Sequence, residues 1–159
     1  MPHPLVECIP NFSNGRDPAV IQAITDAIES VAGVVLLDVD PGASTNRTVV
    51  TFVGTPDAVV DAAVAAGSAA AESIDMRTHS GEHPRFGAMD VCPFVPIRDI
   101  TMAEVVDLAR EAGRRLGDAG LTVYLYEEAA SAPHRRNLAD VRAGEYEGLA
   151  DKLSDAAWQ

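Results

Sequence analysis

The chain has 159 residues, a length that predicts one compact domain or one lobe of a two-lobed protein. Its 47% apolar and 23% charged residues are the composition of a globular chain, and a formal charge of −12 argues against nucleic acid and against an anionic membrane surface as partners. Two cysteines, no apolar run of membrane-spanning length and a start without a signal-peptide pattern predict a reducing, cytoplasmic setting.

Val6 to Phe12 reads as a first strand, with Pro10 near its end. Ser13-Asn14-Gly15-Arg16 is turn chemistry, and Asp17-Pro18 opens a helix: a side-chain acceptor caps the free amides and proline takes the first helical position. Val20, Ile24, Ile28 and Val31 make its apolar stripe, which Gly33 ends. The apolar run Val34 to Asp40 predicts a buried strand, Pro41-Gly42 a turn, and Thr48 to Val53 a third strand. Thr55-Pro56 starts a long Ala/Val-rich helix to about Ile74. Asp75 to Met89 has no apolar period and contains Gly81, Pro84 and Gly87, so it is a polar loop.

Asp90 to Pro96 is the next strand, and Thr101 with Glu104 forms a capping box before a helix that turns Val105, Leu108, Ala112 and Leu116 inward. Leu121 to Tyr126 reads as a last strand, with a short helix near Tyr146 to Leu153 beyond it. The first six elements follow the split βαβ order. The fold class expected is therefore α+β, ferredoxin-like, with an extended mixed sheet and helices packed on one face, in a single domain over residues 1–159.

The polar loop carries His79-Ser80-Gly81-Glu82-His83-Pro84. As a pattern this matches an inverted zinc-protease motif, but that chemistry needs both histidines on one helical face, and Gly81 and Pro84 oppose a helix there. No metal is expected. A histidine held between glycine and proline suits proton transfer, since imidazole exchanges protons near neutral pH; it would equally serve as a surface residue without a role. Asp38 and Asp40 fall on one side of a strand end, where sheet folds commonly meet ligands, though acids before Pro-Gly are also ordinary turn residues. Arg47, in the cluster Ser44-Thr45-Asn46-Arg47-Thr48, has the geometry to grip a carboxylate with two hydrogen bonds. Cys8 and Cys92 read as small buried residues, and Trp158 as a terminal docking residue.

Several long stretches, in order and spread over nearly the whole chain, resemble the N-terminal subdomain of the formiminotransferases. They are LVECIPNFSNGR from Leu5, LLDVDPGASTNRTVVTFVG from Leu36, GEHPRFGAMDVCPF from Gly81, VYLYEEAA from Val123 and RAGEYEGL from Arg142. The resemblance implies transfer of a formimidoyl group from N-formimidoyl-L-glutamate to N5 of tetrahydrofolate, the acceptor substrate, in histidine breakdown. It also implies that His83 is the catalytic acid–base and Asp40 a supporting polar residue. Arg47 and Arg85 are the expected partners of substrate carboxylates, with Asn11, Asn46 and Glu82 as further substrate-binding candidates. The family continues into a second subdomain, so three arrangements are expected: a half that works with a separate C-terminal lobe, a homodimeric paralogue, or a non-catalytic module binding a folate-like or carboxylate ligand.

Overall fold

A computed structural model describes residues 3–159. In chain order it runs β1 (Leu5–Cys8), β2 (Asn11–Phe12), α1 (Pro18–Glu29), β3 (Val34–Gly42), β4 (Arg47–Gly54), α2 (Pro56–Ser73), β5 (Met89–Val91), β6 (Phe94–Arg98), α3 (Met102–Asp118), α4 (Leu138–Arg142) and α5 (Leu149–Ser154), with single 3₁₀ turns between and after the last elements. No helix among the described residues is long and apolar enough to cross a membrane.

Proline explains why the predicted first and fourth strands are each broken in two. Pro10 separates β1 from β2 and Pro93 separates β5 from β6, because proline offers no N–H to a ladder. Both prolines still accept: Val50 N–H donates to the Pro10 carbonyl at 3.0 Å and Ile9 N–H to that of Pro93 at 3.2 Å. The broken pieces therefore act as two continuous ribbons. β1 and β2 lie end to end along one side of β4, with β3 on its other side, while β6 borders β1 and β5 borders β2. Every one of these pairings is antiparallel, which corrects the expected mixed sheet.

The Leu121–Tyr126 stretch accounts for that correction. It follows α3 as a strand would, yet it forms no ladder among the described residues. Its Tyr124 hydroxyl instead donates to the Trp158 carbonyl, at 2.9 Å, and the two rings meet edge to face. Trp158 docks there as expected, and Lys152 Nζ sits 4.3 Å from the centre of its ring. α4 is an element that the sequence reading lacks; the predicted helix near Tyr146 starts instead at Leu149.

One face of the sheet is covered. Val6, Cys8, Phe12, Val50 and Phe52 are fully buried with Ile24 and Ile28 of α1 and Val59, Ala62, Ala63, Ala66 and Ala70 of α2. The alanine run lets α2 approach the strands closely. The other face is open. β3 is an edge strand with Val35 59% and Leu37 55% exposed, not the buried strand its apolar run predicts, and Pro41-Gly42 continue it rather than turn. A bulge between Leu36 and Asp38 inserts Leu37 and switches the alternation. Leu36 pairs with buried Phe52, while Asp38 pairs with Thr51 and Asp40 with Val49. Without the extra residue Asp38 would face the core beside Val50. With it, Val39 enters the covered face and both acids leave it.

Cys8 is fully buried and its Sγ lies 3.5 Å from that of Cys92. Burial first, and then the hydrogen bond with Cys92, push the Cys8 thiol well above the ordinary range. The unfolded chain then holds fewer protons than the folded one once pH exceeds an ordinary thiol's pKa of about 8.5. Stability is expected to be unaffected by this group below that pH and to fall above it, with a limiting slope of about 1.4 kcal/mol per pH unit. Urea unfolding at pH 7.5 and pH 10 checks this: Cys8→Ala should show a smaller alkaline loss than the parent, and equal losses would contradict it.

Candidate functional site

The 79–88 segment is irregular, and it is held in place by the turn that joins β3 to β4. Asn46 is the hub of that turn. Its backbone has φ +50°, a left-handed conformation that asparagine tolerates better than most residues. Its buried amide accepts from Gly15 N–H at 3.0 Å and donates to the Ser80 carbonyl at 2.9 Å. His79 Nε2 meets the Asn46 carbonyl at 3.0 Å, so this nitrogen carries a hydrogen and donates it. Glu82 N–H donates to the Ser44 carbonyl at 3.2 Å. Gly81 is packed so closely that a Cβ there would lie 2.3 Å from the Thr45 carbonyl oxygen.

His83 follows immediately and is half-buried. Its Nδ1 lies 2.6 Å from the Pro84 carbonyl oxygen and 3.1 Å from Nη1 of Arg47. Nε2 makes no hydrogen bond among the described residues. The ring is therefore anchored by one nitrogen and presents the other. His79 and His83 do not sit on a helix, and their rings engage different partners, so the zinc-protease pattern has no helical face to work from.

Arg47, the first residue of β4, does not extend free towards solvent. Its side chain is 12% exposed, its Nε donates to Asn11 Oδ1 at 2.9 Å, and its Nη1 donates to Asp90 Oδ2 at 2.5 Å. The Asp90 carboxylate is fully buried. It also accepts from Arg142 Nη2 at 2.6 Å and from Phe86 N–H at 2.5 Å. Arg142 Nη2 reaches the Pro84 carbonyl as well, at 2.7 Å, the same oxygen that faces His83 Nδ1. A buried carboxylate is tolerable only with such partners, because an unpaired charge in low dielectric is costly. β4, β5, α4 and the 83–86 loop thus converge on one side chain.

Asp90 and Arg142 are absent from the candidates read in the sequence. The signal for Asp90 is an acid inside the apolar strand Met89-Asp90-Val91. Arg142 gives none locally; it reads as an ordinary basic residue at the end of a short helix.

The remaining candidates are dispersed around this centre. Asn11 and Asp40 belong to one row across the open face, since both pair with Val49 of β4, and Arg47 lies two residues from Val49 on that strand. Asp40 is exposed and makes no hydrogen bond or ion pair among the described residues. It makes no hydrogen bond to the His83 ring, whose hydrogen-bonding neighbours are Arg47 and Pro84. Arg85 is already engaged: its Nη1 and Nη2 bond Glu147 at 3.1 and 2.5 Å, and its guanidinium holds the Glu147 carboxyl below the usual range. Glu82 is exposed, with only its backbone N–H bonded.

Residues 5–159 match the family model described as "Formiminotransferase domain, N-terminal subdomain". The chain belongs to the formiminotransferase N-terminal subdomain family. Among curated relatives it is 56% identical over 155 residues to the formimidoyltransferase-cyclodeaminase of Rattus norvegicus, which covers 97% of this chain and 29% of the relative. It is 51% identical over 158 residues to the glutamate formimidoyltransferase of Thermoplasma acidophilum and 47% identical over 155 residues to that of Streptococcus pyogenes, covering 98% and 97% of this chain and 52% of each relative. This formiminotransferase subdomain therefore spans about half the length of the shorter relatives and under a third of the longer ones.

Docking of the histidine loop onto the β3–β4 turn in this formiminotransferase subdomain is tested at Gly81. Gly81→Ala forces a methyl group against backbone rather than against a movable side chain. It is expected to lower stability by about 1–3 kcal/mol, the usual penalty of overpacking, and to speed amide exchange at Glu82, whose N–H bonds the Ser44 carbonyl. Unchanged stability and exchange would show that the loop is not pinned there.

Proposed function

We propose that residues 1–159 form the N-terminal lobe of a glutamate formimidoyltransferase, moving a formimidoyl group from N-formimidoyl-L-glutamate to N5 of tetrahydrofolate, with His83 as general acid and base. The observation that carries this reading is the His83 ring, tethered through Nδ1 on a pinned loop with Nε2 unengaged. Family membership supplies the reaction class, and the ring geometry supplies a group able to perform its proton transfers.

The chemistry needs two such transfers. The N5 lone pair of tetrahydrofolate attacks the carbon of the formimidoyl amidinium, forming a new C–N bond while the C=N π pair moves onto the terminal nitrogen. The tetrahedral centre regains that double bond when glutamate leaves. N5 must then lose a proton, and the glutamate nitrogen must gain one before its own C–N bond to that carbon breaks. Nε2 of one imidazole can accept the first proton and deliver the second, so the ring returns to its starting state as glutamate leaves. Positioned acid–base catalysis of this kind contributes about 10²–10⁴-fold.

Asp40 suits the role of holding the cationic amidinium, because its carboxylate is exposed and uncompensated on the open face that also carries Asn11 and Arg47. Glu82, exposed beside the ring, is a second acid within that loop. Arg47 keeps Nη2 for a substrate carboxylate while its other nitrogens hold Asp90 and Asn11. Arg85 would have to exchange Glu147 for the substrate. Asn46 acts by supporting the loop, since both ends of its amide are already bonded. In this reading the tetrahydrofolate site is completed by a second lobe, on a separate chain or from a second copy, and the frame is a split βαβ, ferredoxin-like one whose two broken strands count as single ribbons.

Formimidoyl transfer measured with the chain in its complete enzyme tests the assignment. His83→Ala is expected to lower kcat by about 10²–10⁴-fold with KM for N-formimidoylglutamate changed only a few-fold. Parent-like turnover would remove His83 from the reaction.

A further inference from the structure

The two contacts of His83 Nδ1 make opposite demands. The Pro84 carbonyl oxygen, at 2.6 Å, can only accept, so it requires a hydrogen on Nδ1. Arg47 Nη1, at 3.1 Å, can only donate, so it requires a bare Nδ1. In a neutral ring the first arrangement leaves Nε2 as a base, whereas the second places the hydrogen on Nε2. Which contact prevails decides whether the presented nitrogen can take a proton at all.

We propose that buried Asp90 is a positioning residue that settles this choice, holding Arg47 and the Pro84–Phe86 backbone so that His83 keeps its hydrogen on Nδ1 and presents a bare Nε2. Asp90 acts on both contacts at once. Its Oδ2 accepts from Nη1 of Arg47 at 2.5 Å, so the shorter, charge-assisted bond of that nitrogen goes to the carboxylate and its 3.1 Å contact with Nδ1 is the weaker of the two. Its Oδ1 holds Phe86 N–H. Through Arg142, which bonds both Oδ2 and the Pro84 carbonyl, it fixes the acceptor that Nδ1–H needs. The carboxylate is fully buried and does not touch Nδ1, so it works through other groups rather than on substrate.

The value of this tautomer to catalysis rests on the reading of His83 as the acid–base group; the tautomer itself does not. The molecule also carries its own reference. His79 meets the Asn46 carbonyl and His134 meets the Ala157 carbonyl through Nε2, at 3.0 and 2.7 Å, so both should hold their hydrogen on Nε2.

Nitrogen-15 NMR of the imidazole rings in the 159-residue chain, at about pH 8.5 where an ordinary imidazole is neutral, reads the tautomers without any substrate. His83 is expected mainly in the Nδ1–H form, opposite to His79 and His134. Asp90→Asn should move His83 towards Nε2–H by at least about threefold in the tautomer ratio, leaving His79 and His134 unchanged. Should Asp90→Asn not fold, Arg142→Gln, which removes the guanidinium from the Pro84 carbonyl, should shift His83 the same way by a smaller factor. A parent His83 already in the Nε2–H form, or a folded variant with the parent's ratio, would overturn the proposal. If the tautomer behaves as stated while His83→Ala retains full turnover, only the catalytic reading falls.

Discussion

A carboxylate without solvent sits at the centre of this subdomain, and much of the site geometry follows from the need to neutralise it. Asp90 has no exposed side-chain surface, and its partners come from β4, from the histidine loop and from α4. Losing one partner of a buried ion pair typically costs about 3–5 kcal/mol, because the other charge remains unsolvated. Those segments consequently have little freedom to move apart, although the loop carries no regular secondary structure and few apolar anchors. Charge satisfaction here does for the loop what core packing does for the sheet.

The sheet and the loop meet through a question of parity. A strand places alternate side chains on opposite faces, and β3 changes that alternation once, at Leu37. This single inserted residue sends Val39 into the core and Asp40 to the open face, where Asn11 and Arg47 also lie. Pro10 and Pro93 act at the matching level of the neighbouring ribbons, interrupting the ladders without ending them. The polar groups around His83 therefore stand beside strands that are irregular in three places yet bridged by hydrogen bonds at Pro10 and Pro93.

Local chemistry in the sequence made the helices legible. Asp17-Pro18 caps α1, with Asp17 accepting from Ala19 N–H at 2.9 Å, and Thr101 with Glu104 forms the reciprocal box of α3. Proline and apolar period bounded most strands within a residue or two. What failed depended on context. Val34 to Leu37 is apolar enough for a buried strand, but an edge position leaves half of it in solvent. Leu121–Tyr126 has strand composition, yet Tyr124 finds its hydrogen bond at the chain's last helical turn instead of in a ladder. At the site, His83 was legible because glycine and proline bracket it. Asp90 offered only an acid inside an apolar strand and Arg142 no local signal, since their meaning is a contact across 52 residues.

The arginines show the same dependence on context in electrostatic terms. Arg47 and Arg85 look like ligands for substrate carboxylates in a chain of charge −12, where any basic residue stands out. In the fold each meets a carboxylate of the protein first: Arg47 meets Asp90, and Arg85 meets Glu147. Asp90 is shared with Arg142, so that cluster keeps one positive charge in excess, whereas Arg85 is matched by Glu147. Asp40, by contrast, has no counter-ion and lies on the open face. In the proposed reading the amidinium end of a donor would meet Asp40, and its carboxylates the positive cluster of Arg47, Asp90 and Arg142. Nη2 of Arg47, which bonds no group among the described residues, is the donor already available for those carboxylates, and Arg85 would add to it only on leaving Glu147.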